Sequence, residues 1–226
     1  MWMELFKLFQ GGDSLASLSA DFRKMLALVE DMADQVRPNL LDQQVSMEEK
    51  SRIRKMDVQV NKLERQIRKR IIAHVTLTRD DVGYPLLLMS LVKDVERMGD
   101  YIKNIAEVGE LGGSAIPEGE LRNELEEIIA CAMDMMKAVG PIMDAQDRER
   151  AHDLIQEGKD AGKRCDQLLV ELAKSDFNAT QTTSMVLLTR FYKRLGAHLL
   201  NILTSVVMPL HKLDFYDERV ATLSQE

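Results

Sequence analysis

Cysteine is scarce in this chain, and the absence excludes a good deal. Cys131 and Cys165 are the only two, too few for a disulfide framework and spaced unlike any zinc motif. A reducing, cytoplasmic setting is the expectation. Long apolar runs are missing too. Nothing approaches the roughly 20 residues that a membrane-spanning helix needs. The apolar start, Met1 to Phe9, has neither a basic leader nor a cleavage site, so no signal peptide is expected. At most, its Trp and Phe side chains would touch a membrane surface peripherally or meet a partner protein. Gly112-Gly113 lacks the preceding strand and the Lys-Ser/Thr pair that a phosphate-cradling loop requires, which excludes one. The net charge of −7 argues against nucleic acid as the main partner, because a phosphate backbone demands a basic surface. No Ser-His-Asp order can be argued, and no residue is assigned a catalytic role. Glu149 and His152 have the Glu-x-x-His spacing of di-iron bundles, but only once, and such bundles need it twice. No residue stands at ligand or catalytic spacing in the sequence from His74, His198 or His211.

What remains is a composition suited to helices: 45% hydrophobic, 30% charged, only 5 Pro, and 14 Met to fill irregular gaps between packed helices. Apolar residues recur at threes and fours in six long stretches. The first runs from about Leu15 to Val45, with Pro38 expected to kink or divide it. Ser46 and Glu49 form a capping box that opens the second, whose seam is Ile53, Met56, Val60, Leu63, Ile67 and Ile71. Punctuation between Thr76 and Pro85 precedes a third helix to about Val108, and the stretch from Leu111 to Pro117 then breaks the pattern at mid-chain. A fourth helix is expected to end near Gly140-Pro141. A fifth carries Gly158 and Gly162 four apart, inviting close approach of another helix. A sixth starts after the cap-like turn at Ser175 and ends before Pro209.

The third stretch carries the most specific wording. Val95, Met98, Ile102 and Ile105 make its buried stripe, while Glu96 and Asp100 lie one above the other a turn apart. Like charges at that spacing repel unless a cation sits between them. Gly99 costs a helix interior about 1 kcal/mol relative to Ala, so a packing or site reason is expected. The run Glu96-Arg-Met-Gly-Asp100, with Asn104 and Ile105 beyond it, resembles the signature of the PhoU family, phosphate-uptake regulators of bacteria and archaea. The sixth stretch repeats part of it: Arg194, Gly196, Asn201 and Ile202 stand where Arg97, Gly99, Asn104 and Ile105 stand in the first. The expected fold is therefore all-α, two tandem three-helix bundles. An N-terminal arm covers 1–12, the repeats cover 13–111 and 117–213, and an acidic tail covers 214–226.

The resemblance implies metal-binding acidic pairs in both repeats. This chain keeps only one, because Lys193 and Ala197 replace the second pair and a protonated lysine cannot ligate a hard cation. One metal site is expected rather than two: Glu96 and Asp100, with Asp57 and Asn61 of the neighbouring helix as further ligands, around Mg, Mn, Ca or Fe. The resemblance further implies a non-enzymatic cytoplasmic adaptor and possible homodimer. It would damp phosphate uptake and starvation signalling by binding the transporter ATPase subunit PstB or the sensor histidine kinase PhoR. Two alternatives stay open: a carboxylate-bridged metalloenzyme on a helical bundle, and a regulator of another ion transporter on the same scaffold.

Overall fold

A computed structural model of the chain describes residues 14–43, 45–77 and 82–213. The N-terminal arm, the turn at Arg79 to Asp81 and the C-terminal tail all fall outside these residues. The described residues form six α-helices: α1 (Ser14–Val36), α2 (Met47–Leu77), α3 (Gly83–Ala106), α4 (Glu120–Ala145), α5 (Arg148–Leu172) and α6 (Ala179–Val207). They make two three-helix units, as the repeated pattern predicts.

The helices begin where side chains satisfy their free amides. Ser46 Oγ accepts from the Glu49 amide (3.1 Å) and Glu49 accepts in return from the Ser46 amide (2.7 Å), the expected capping box. The hydrogen bonds from Ser46 hold the Glu49 carboxyl below the usual carboxylate range. Asn178 and Gln181 make the equivalent box at the start of α6, and Asp147 caps α5. Pro38 ends α1 by tightening the chain into a 3₁₀ turn over Arg37–Asn39.

Two prolines behave differently from the sequence expectation. Pro85 lies within the first turn of α3, where its missing N–H leaves no bond unmade. Pro141 does not end the fourth helix, which continues to Ala145. The cost of the lost bond is met by packing, since Val139 and Ile142 are buried on either side of it. Gly140 makes room for a neighbour there. A Cβ on it would lie 2.7 Å from the Arg23 guanidinium, which reaches across from α1 to pair with Asp144 at 2.7 Å.

The core runs without interruption through both units. Val29, Ile53, Val60 and Met98 of the first join Leu125, Met136, Leu168 and Leu199 of the second in one buried cluster. α3 and α6, the two signature helices, pack against each other and bridge the halves. Gly158 permits close approach as expected, with Met135 and Leu200 filling the place of its missing side chain. Gly162, by contrast, faces open space.

Candidate functional site

The acidic pair of the first unit lies on α3 where it faces α2. Asp57 is buried, projecting from α2. Asn61, one turn on, approaches its Oδ2 at 3.5 Å. Lys103 Nζ donates to Asp57 Oδ2 (3.1 Å) and to Asp100 Oδ1 (3.0 Å), bridging the two helices. Burial opposes the charge on Lys103, but its hydrogen bonds to Asp100 and Asp57 prevail and hold the ammonium above the ordinary lysine value. Glu96 is engaged elsewhere: Lys93 Nζ lies 2.5 Å from its Oε2 and Arg97 Nε lies 3.8 Å from the same oxygen. Arg97 also reaches Asp100 at 3.4 Å.

Asp57, Asn61 and Asp100 are thus brought together, with Glu96 flanking them in its own ion pairs. Their oxygens suit a hard cation, and Asp57 Oδ1 is buried without a hydrogen-bond partner. The space between the two aspartates, however, holds the Lys103 ammonium. Among the described residues no three His, Cys, Asp or Glu side chains converge as they would around a metal ion. The set fits a metal only if Lys103 leaves. Lys103 follows Asp100 by three residues on the same helix, a spacing visible in the sequence as an i, i+3 pair. Glu149 and His152 stay at the solvent-facing start of α5.

A second polar cluster joins the units. Asp94 is buried on α3, where its Oδ1 meets His198 Nδ1 at 2.8 Å and accepts from Asn201 Nδ2 at 2.9 Å. Tyr101 stacks on His198 with ring centroids 5.7 Å apart and also meets Phe191 at 6.1 Å. His198 therefore has a partner that sequence spacing does not reveal, since Asp94 lies on another helix of the other unit. One signal was present: Asp94 is a charged residue beside the apolar stripe of Leu91, Val95 and Met98.

In the second unit Lys193 pairs with Asp166 of α5 at 2.5 and 2.6 Å. Ala197 adds nothing to coordinate an ion. Cys165 is buried, which pushes its thiol up to about 11. Both cysteines are free, and the half-buried Cys131 is likewise raised by burial. Among the described residues no helix is long and apolar enough to cross a membrane.

The family model described as "PhoU domain" matches residues 22–109. A phosphate-specific transport system accessory protein PhoU homolog from Deinococcus radiodurans is 29% identical over 84 residues, which cover 37% of this chain and 38% of that protein. The chain thus matches well under half the length of this curated relative. PhoU from Pseudomonas aeruginosa superimposes with a TM-score of 0.76 at 21% identity, over 86% of this chain and 95% of that one. The phosphate transport system regulatory protein PhoU from Streptococcus pneumoniae gives 0.75 at 19% identity, over 85% and 93%. Residues 22–109 are thus similar to the PhoU domain, and both halves together have the fold of the two PhoU structures.

Proposed function

We propose that this protein is a regulator of phosphate transport that acts by binding other proteins rather than by catalysis. The observation that carries the reading is the Glu96-Arg-Met-Gly-Asp100 signature, set within the PhoU-domain match and on the helix that joins the two units. Its partners would be the transporter's ATPase subunit and the sensor histidine kinase of the phosphate-starvation response. A set of long, rigid helices offers the extended faces that such contacts need. Deleting the gene should raise alkaline phosphatase activity in phosphate-rich medium, and the full chain supplied from a plasmid should restore repression. Unchanged activity after deletion would overturn the reading. The carboxylate-bridged enzyme has little to recommend it, because Asp57, Glu96 and Asp100 are spent on lysine partners.

The acidic cluster would take a divalent or iron ion only by exchange with the Lys103 ammonium. Asp57, Asn61 and Asp100 would then be the ligands, with Glu96 joining if Lys93 releases it. Equilibrium dialysis against Mn²⁺ and Fe²⁺ tests this. The wild type should bind weakly and Lys103→Ala more tightly. Tight one-to-one binding by the wild type that Lys103→Ala leaves unchanged would refute the exchange.

A further inference from the structure

The second unit carries a groove of ≈ 840 Å³ between α5 and α6, lying over the altered signature. Lys159, Lys163, Arg190, Lys193 and Arg194 line it against one carboxylate, Asp166. This concentration of positive charge sits on a chain whose net charge is −7. A concave surface with an excess of one sign focuses its field and collects counter-ions. Its floor includes Gly162 and Ala197, and nothing lies within 4 Å of where a Cβ on Gly162 would stand. An anion can therefore sink close to the helix backbones.

The ion pairs among the described residues leave Arg190 and Arg194 of the groove without a carboxylate partner. Asp166 is matched by Lys193, and Lys163 leans toward Asp160, which stands outside the lining, at 2.8 Å. Among the described residues Arg194 donates only to the Tyr101 hydroxyl, at 3.4 Å. Arg190 is exposed and makes no ion pair among the described residues. Arg190 and Arg194 stand one turn apart on one face of α6, and α5 presents Lys159 and Lys163 at the same spacing opposite. Guanidinium forks suit tetrahedral oxyanions, which they grip through two hydrogen bonds at once. From Gln156 to Asp166 the α5 wall runs about 15 Å at 1.5 Å per residue, far more than one phosphate fills. The lining residues include no aromatic ring on which a base could stack.

We propose that this groove binds an oligophosphate, a short chain of condensed phosphate groups either free or carried by a nucleotide. Where α3 carries Glu96 and Asp100, α6 carries Lys193 and Ala197, so the groove has no acidic pair of its own to repel an anion. The inference stands independently of the regulator reading.

Isothermal titration of the full chain with tripolyphosphate, ATP and orthophosphate tests it. Tripolyphosphate should bind one-to-one and weaken as salt rises. ATP should match it, and orthophosphate should bind far more weakly. The double variant Arg190→Gln/Arg194→Gln should weaken tripolyphosphate by about tenfold or more, from the loss of charge-assisted hydrogen bonds. Arg190→Gln alone, which leaves the Tyr101 contact in place, should give a smaller loss in the same direction. Lys137→Gln on α4 removes the same charge elsewhere and should leave binding unchanged. No binding of tripolyphosphate, equal weakening by Lys137→Gln, or orthophosphate bound as tightly as the longer anion would each overturn the proposal. So would recognition of ATP without tripolyphosphate, or equally tight binding of a polyglutamate peptide.

Discussion

Lys103 ties α2 to α3 through two carboxylates at once. Its ammonium is a quarter exposed, while the Asp57 it serves is 9% exposed. Removing it by Lys103→Ala leaves a buried carboxylate short of its counter-charge. The expected loss is about 2–3 kcal/mol in denaturant unfolding, below the 3–5 typical of a fully buried pair because water reaches Lys103. Because folding raises the pKa of this lysine, its contribution is fully present below the ordinary lysine value and fades as pH climbs through the raised one. Between neutral pH and about pH 9 the difference between wild type and Lys103→Ala should therefore stay flat, and a pH series of urea melts checks it. The two signature glycines give a prediction of opposite sign. A Cβ on Gly99 would meet Val60 and Val29 at ordinary contact distances, and one on Gly196 would meet nothing within 4 Å. Steric need does not explain either glycine. Gly196→Ala should raise stability by up to about 1 kcal/mol, the intrinsic helix preference for alanine. A fall in melting temperature would show that Gly196 has a backbone role.

At the scale of the element, the helices and their starts were readable in advance because local rules govern them. The seam of α2 and the Ser46 box depend on residues within a few positions of one another, so spacing alone finds them. Ser46→Ala should cost about 1 kcal/mol. The part of that cost that flows through Glu49 is present at neutral pH and disappears as pH falls through the lowered carboxyl value, which thermal melts down an acid series would follow. What could not be read is where distant helices meet. Pro141 looks like a stop until Val139 and Ile142 are seen buried around it. Glu96 and Asp100 look like one site until Lys93 and Lys103 are seen taking one each. Asp94 and His198 are more than a hundred residues apart, and only the packing of α3 on α6 brings them to 2.8 Å. That meeting gives this helix pair a test of its own. Asp94→Ala, which strands His198 and Asn201, should destabilise by about 1–3 kcal/mol, the cost of unpaired buried polar groups. Indifference in a chemical melt would show that the contact contributes nothing to the joint.

For the molecule as a whole, duplication has produced two units that share one interior. Phe22, Met25 and Val29 lie in the same cluster as Met136 and Leu203, and Arg23 reaches Asp144 across the boundary. The halves should therefore unfold together, in a single calorimetric transition whose heat matches the van't Hoff value. Residues 14–111 expressed alone should bind hydrophobic dye and melt without cooperativity. Independent, sharp melting of that fragment would argue for two self-sufficient domains instead. The wedge of Lys103 between Asp57 and Asp100 has a last implication for how the two helices are held. A positive charge fastened to the chain by covalent bonds cannot be chelated, oxidised or lost by dilution. The joint between α2 and α3 is thus closed by the chain's own charge.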